Sequence, residues 1–382
     1  MKTINFVDIL EGIIVKVDKK NYRTIWQSED NREIIKIIDQ RYLPHEFVIK
    51  DISSYIEAID IIKDMAVRGA PLIGGTTAWG IYLAALEAKR NNHGKEFIID
   101  ASKKFLEARP TAKNLSWAVD RMMSFIEELS DIEIIIKDLE SEAERICNED
   151  VENSTNIGYH GLKIIEKIAE NKMEKTVNIL THCNAGWLAT IDRGTATAPI
   201  YAARDAGIDI HVWVDETRPR NQGSNLTAWE LLEEGIKHTV IVDNAGGHIM
   251  QHGKVDLCIV GSDRTTRSGD VGNKIGTYLK ALAAHDNNVP FYVALPDSTI
   301  DWKIKNGLKD IPIEIRDSEE VEYISGFLDE EIRSVRIMPE DSPSLNFAFD
   351  VTPSKYVTGL ITPRGVCEAS ESDILRLYPE FS

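Results

Sequence analysis

From Thr176 onward the chain repeats one pattern: a short β-branched and apolar run, a few polar residues, then text that suits a helix. The runs are "TVNILTHC", "IDIHVWVDE", "HTVIVDNAGG", "VDLCIVGSDR", "VPFYVALPD" and "YVTGLIT". Helix-compatible stretches such as "TATAPIYAARDAG", "LTAWELLEEGI" and "NKIGTYLKALAAHD" separate several of them. Alternating β and α units imply an α/β fold, with a mostly parallel sheet carrying helices on both faces. Almost every run leads straight into polar or turn-forming residues: Cys183, Asp215 and Glu216, Asp243 and Asn244, Asp263 and Arg264, Pro296 and Asp297. Ligands of open parallel sheets bind beyond the carboxyl ends of the strands, so these residues are expected to meet in one crevice.

The earlier part reads differently. Short β-like text, "NYRTIWQ" and "EFVIK", precedes helical text. In "AWGIYLAALEAKR", Trp79, Tyr82, Leu83 and Leu86 fall on one helical face. "SDIEIIIKDLESEAERICNEDVENS" reads as an acid-rich amphipathic helix whose charges form a solvated face. A chain of 382 residues is long for one compact domain. The expected organisation is a smaller, mixed, mainly helical N-terminal domain over residues 1–174 and a Rossmann-like domain over 175–382.

A formal charge of −18 argues against a nucleic-acid partner, which needs a basic face to replace counterions. It leaves room for a small anionic substrate held by a few local cations. No apolar run reaches the roughly 18–20 residues that span a bilayer. The opening stretch carries acids among its apolar residues and lacks a small-residue cleavage site, so no signal peptide is expected. Four scattered cysteines form no CxxC pair, which suits free thiols in a reducing cytoplasm.

Cys183 sits where an apolar strand gives way to Gly186. Its plain alternative is a small core residue, but a strand end followed by a glycine turn is where a reactive thiol belongs. Asp263 has the plain alternative of capping, or of pairing with Arg264 or Arg267. In a water-poor cleft its carboxyl stays protonated and serves as an acid. "VRGAPLIGG" leads into a helix, where exposed N–H groups cradle phosphate and Arg68 supplies charge. It is neither a Walker loop nor GxGxxG, so neither ATP nor NAD is expected. "DETRPRNQGSNLTAWE" is denser in polar side chains than a connector requires; Gln222 and Arg218 are candidate ligand contacts, with an Asp215–Arg218 pair as the plain alternative. His248 and His252, four apart, would need Asp243 or His182 to hold zinc; without HExxH, no metal is expected. A serine hydrolase lacks its GxSxG elbow.

Seven blocks, "AVRGAPLIGG", "THCNAGWLAT", "VDETRPRNQGSNLTAWEL", "VDNAGGHIM", "GSDRTTRSGDVGNKIGTY", "PFYVALPDSTID" and "FDVTPSKYVTGLIT", together resemble the methylthioribose-1-phosphate isomerase family. Its wider superfamily includes ribose-1,5-bisphosphate isomerase and regulatory subunits of the translation factor that exchanges nucleotide on initiation factor 2. The resemblance implies isomerisation of 5-methylthioribose 1-phosphate to 5-methylthioribulose 1-phosphate, in methionine salvage, by a homodimer without metal or nucleotide cofactor. It places the catalytic pair on Cys183 and Asp263. Substrate-binding positions fall on Arg68, Gly69 and Ala70, on Arg109 of "ARPTAKNL", on Gln222, and on Asn273 and Lys274. The chain departs from the family pattern at Phe347, where proline is usual, and at Pro363, where glutamate is usual. "RYLPHEFVIKD" resembles a longer branch that includes enzymes of related pentose phosphates, so 5-deoxyribose 1-phosphate is an alternative substrate. Ribose 1,5-bisphosphate would need a second cationic cluster, which the motifs do not supply. A non-catalytic regulatory subunit would lack the cysteine–aspartate pair, which this chain keeps.

Overall fold

The computed structural model describes residues 16–18, 20–109, 112–126, 131–173 and 176–382. Most of the opening stretch, Pro110 and Thr111 beside Arg109, and the expected boundary at 174/175 lie outside the described residues.

A three-stranded antiparallel sheet, β1 (Ile25–Gln27), β2 (Ile35–Ile38) and β3 (Ile49–Ile52), precedes five helices. These are α1 (Tyr55–Lys63), α2 (Ala70–Arg90), α3 (Lys95–Leu106), α4 (Lys113–Met123) and α5 (Ile132–Asn171). Ser54 caps α1, its hydroxyl accepting the Glu57 N–H at 3.2 Å, while the Glu57 carboxylate accepts the Ser53 N–H at 2.8 Å.

Two expectations are corrected here. Trp79, Tyr82, Leu83 and Leu86 are all buried, but so is nearly every other residue of α2. The helix is a central post packed by α1, α3, α4 and α5 rather than one with a single buried face. The acid-rich α5 is not simply solvated either. Glu142 is buried between Arg121 and Arg145, and Asp150 is buried with its carboxylate accepting the Ile191 N–H at 2.8 Å. Burial pushes the Asp150 carboxyl up to about 7.

The remainder alternates as its sequence suggests: β4 (Val177–Thr181), α6 (Ala198–Asp205), β5 (Ile210–Asp215), α7 (Ala228–Glu233), β6 (His238–Ile241), α8 (Ala245–Gln251) and β7 (Leu257–Val260). There follow β8 (Arg264–Thr266), β9 (Val271–Lys274), α9 (Thr277–Asp286), β10 (Phe291–Ala294), β11 (Ile300–Asp301), β12 (Phe349–Thr352), β13 (Gly359–Thr362) and β14 (Gly365–Cys367). Seven of these strands form one sheet in the order β6-β5-β4-β7-β10-β13-β14, parallel except for the last. Alternate strand residues enter two separate cores. Val177, Ile179, Leu257 and Ile259 join one, while Leu180, Cys258 and Val260 join the other. The sheet is therefore buried on both faces, which accounts for its unbroken apolar runs.

Taken in chain order, the six parallel strands lie 3-2-1-4-5-6, the doubly wound arrangement. Its reversal falls between β4 and β7, where connections leave in opposite directions and open a crevice at the carboxyl ends. His182 and Cys183 follow β4; Gly261, Ser262 and Asp263 follow β7. A second sheet, β11-β8-β9-β12, carries Asn273 and Lys274. Among the described residues no helix is long and apolar enough to cross a membrane.

Gly80 shows how tightly α2 is held. A Cβ there would stand 2.3 Å from Phe105 Cζ and 2.9 Å from Ala58 Cβ. Gly80→Ala should therefore lower stability by about 1–3 kcal/mol, read as a reduced urea midpoint with unchanged slope.

Candidate active site

Immediately after β4 the backbone of Cys183 turns left-handed, at φ 65°. Such a conformation is unfavourable for a residue with a Cβ, and here it is held from both sides. The Cys183 N–H donates to Thr217 Oγ1 at 2.7 Å, and its carbonyl accepts from Thr227 Oγ1 at 2.7 Å. His182 borders the same pocket, but its ring nitrogens are engaged away from the thiol. Its Nδ1 lies 3.0 Å from Asp215 Oδ2 and its Nε2 lies 2.8 Å from the Ile275 carbonyl. Lys280 Nζ completes this buried cluster, 3.1 Å from Asp215. His182, Asp215 and Asp243 lie close enough to share a cation, and the ammonium of Lys280 supplies one. His248 and His252 pack on each other, ring centroids 4.3 Å apart, and neither joins the cluster.

Asp263 follows β7, with its N–H donating to the Gly272 carbonyl at 3.0 Å. The plain pairings do not form: Arg264 bonds Asp301 at 3.1 Å and Arg267 bonds Glu371 at 2.7 Å. Burial raises the Asp263 carboxyl above the ordinary range, against the opposing pull of Lys274, Arg109 and Arg68. Burial likewise lowers the Lys274 ammonium, while Cys183 and Asp263 pull it back up. Each of these groups lies within the electrostatic reach of the others.

Arg68, Gly69 and Ala70 close the pocket from the start of α2. Gly69 adopts φ 91°, and a Cβ there would meet Ala189 O at 2.4 Å, so no other residue fits. The first N–H groups of any helix lack intrahelical acceptors and favour an anion. Arg68 forks around Asn184, donating through Nη1 to Oδ1 and through Nη2 to the main-chain O, both at 2.6 Å. Nη2 also lies 3.9 Å from Cys183 Sγ.

One pocket is lined by Arg68, Gly69, Ala70, Cys183, Asp263 and Asn273. Its volume of about 30 Å³ is a fraction of what a bound metabolite requires. A wider cavity of about 500 Å³, lined by Gln222, Leu43, Met65 and Arg220, shares Arg68 with it but lies outside the Cys183–Asp263 pair. Arg109 and Lys274 are not among the residues lining either, but both lie close enough for their charges to act on Asp263. Among the described residues Arg109 Nη1 and Gln222 Oε1 are buried without hydrogen-bond partners, a costly arrangement suited to groups that await a ligand. The expected convergence of strand ends is partial: Asp215 and Asp243 belong to the His182 cluster, and Asp297 lines a different cavity. Asn184, Thr217, Glu230 and Glu314 were not singled out by sequence. Glu314, 3.1 Å from Arg109, lies in "IPIEIRD", where nothing marks it as internal.

Residues 66–369 match the Initiation factor 2 subunit family, and the chain belongs to it. Similar proteins within that family carry the name of an enzyme or of a translation-factor subunit. The protein named methylthioribose-1-phosphate isomerase in Desulfatibacillum aliphaticivorans is 59% identical over 366 residues, covering 96% of this chain and 99% of that one. Its namesake in Paramagnetospirillum magneticum is 55% identical over 367 residues, covering 96% and 99%. Among solved structures, 5-methylthioribose 1-phosphate isomerase from Pyrococcus horikoshii OT3 superposes with a TM-score of 0.79 at 39% identity, covering 94% of this chain and 97% of that one. The translation initiation factor eIF-2B subunit delta from A. fulgidus gives 0.75 at 37%, covering 94% and 100%.

The raised Asp263 carboxyl sets a pH dependence. Above the ordinary carboxyl range, near pH 4, the unfolded chain loses this proton while the folded protein keeps it. Stability therefore declines as pH rises, until the folded carboxyl also ionises. Asp263→Asn should remove this part of the slope, seen as a smaller fall in urea midpoint between pH 4.5 and pH 7 than in the parent.

Proposed function

We propose that this chain isomerises 5-methylthioribose 1-phosphate to 5-methylthioribulose 1-phosphate, with Cys183 and Asp263 as its catalytic pair. One observation carries the reading: the two residues follow adjacent strands at the sheet's point of reversal and line one pocket with the Arg68–Ala70 segment.

The chemistry accounts for the residue types. In a sugar 1-phosphate the anomeric carbon is locked as an acetal, so the ring does not open freely. A protonated Asp263 gives its proton to the ring oxygen as the C1–O bond breaks. Hydrogen then leaves C2 and arrives at C1, with Cys183 serving that transfer, and the C2 hydroxyl returns a proton to the Asp263 carboxylate, which leaves a ketone at C2 and restores the acid. The phosphate has to be held without hydrolysis, a task for the first N–H groups of α2 with Arg68 and Lys274. Narrow, water-poor walls preserve the shifted carboxyl that the first step uses.

The outer cavity supports an uncharged group on C5. Leu43, Met65 and Leu226 line it. Two of its three arginines are engaged, Arg41 with Asp39 and Asp64 and Arg220 with Glu320, and the third, Arg68, is shared with the narrow pocket, which disfavours a second phosphate. A place in methionine salvage follows from this substrate. The reading carries with it a homodimer in the cytoplasm, in keeping with four cysteines that are free.

A panel of 1-phosphates tests it: methylthioribose, 5-deoxyribose, ribose and ribose 5-phosphate, each followed by NMR for ketose formation. The methylthio sugar should be preferred, and no turnover of any sugar would remove the isomerase. Cys183→Ala and Asp263→Asn should each reduce kcat/KM by about 10²–10⁴-fold while far-UV circular dichroism stays unchanged.

A further inference from the structure

We propose that Glu230 is a positioning residue that fixes the Asn184 amide and, through it, the guanidinium of Arg68 beside Cys183. The role of Arg68 as a substrate contact rests on the isomerase reading; the geometry of the relay does not.

Glu230 lies on α7 and is fully buried. Its carboxylate takes four donors, two on each oxygen. Oε1 accepts Asn184 Nδ2 at 2.8 Å and the Leu188 N–H at 3.0 Å. Oε2 accepts the Trp187 N–H at 3.1 Å and the Tyr201 hydroxyl at 2.8 Å. An ionised carboxylate is the side chain whose acceptors match four converging donors. The turn after Cys183 is therefore wrapped around one carboxyl group, which burial pushes up to about 7 and these four donors pull back toward the anion, so closely that a Cβ on Gly186 would fall 1.7 Å from Oε2.

The relay runs onward from Asn184. Because its Nδ2 is committed to Glu230, its Oδ1 must face the other way, where it accepts Arg68 Nη1 at 2.6 Å. Thr227 reinforces the orientation: its hydroxyl donates to the Cys183 carbonyl at 2.7 Å and accepts Asn184 Nδ2 at 3.2 Å. Among the described residues no hydrogen bond of Arg68 goes to a carboxylate, so its charge stays available at the sulfur. Glu230 touches neither substrate pocket. It orders a cation without neutralising it.

A glutamine at position 230 offers one acceptor oxygen where two are needed, whichever way it turns. An aspartate at position 184 sets two carboxylates face to face. The two changes together restore a donor opposite an acceptor. The relay thus predicts a reversal of sign: Glu230→Gln harms the parent but helps the Asn184→Asp variant. In the parent it should raise KM about tenfold with a smaller effect on kcat. Added to Asn184→Asp it should lower KM. Equal, additive effects in both backgrounds would overturn the proposal, as would an unchanged KM in Glu230→Gln. A second readout needs no turnover. Alkylation of Cys183 by anionic iodoacetate, relative to neutral iodoacetamide, reports the cation beside the sulfur. Glu230→Gln should lower that ratio about threefold or more, whereas mere loosening would speed both reagents alike. An unmoved ratio overturns the relay. Absence of turnover in the parent, with the ratio shifted as expected, would sink only the isomerase reading.

Discussion

The molecule gathers three buried cations, Arg68, Arg109 and Lys274, around the Asp263 carboxyl and the Cys183 thiol. Buried charge is expensive unless it is paired, and here the pairing is incomplete. Arg109 has Glu314 but an orphan Nη1, Arg68 leans on neutral oxygens, and Lys274 lies over the Phe349 ring at 4.7 Å. An arrangement so rich in positive charge holds an anion better than it holds itself. The rest of the architecture exists to keep these groups from finding water.

The sheet makes that enclosure available. Its order reverses between β4 and β7, so the chain has no crossover to lay across the gap. The long, fully packed α2 fills part of that opening with its first residues, and the loop after β4 is tied down from beneath by Glu230 and Asp150. Two acids that burial pushes to about 7 thus support the pocket without lining it in common with Cys183.

Much of this was legible in the sequence, and the gaps have a physical cause. Strand–helix alternation is a local signal, and the parallel sheet with its crescent of strand-end residues followed from it. Cys183, Asp263, Arg68, Gly69, Ala70 and Asn273 do line one pocket. What stayed hidden were acids on helices. Glu142, Asp150 and Glu230 look like any other charge on an amphipathic pattern, because their burial depends on partners far along the chain: Arg121, the Ile191 N–H, and the turn at Asn184. The all-round burial of α2 was likewise invisible, since four neighbouring helices, rather than its own periodicity, decide it.

The wider cavity is walled differently from the narrow one. Tyr323, Ser325 and Ser334 come from a hairpin, Tyr323–Leu328 with Glu331–Arg336, whose strands, among the described residues, pair only with each other. No sheet register elsewhere constrains its sequence. Selection can therefore reshape the wall of the wider cavity without disturbing the strand ends at Cys183 and Asp263, which lets one scaffold change what its outer space accepts while the narrow pocket stands still.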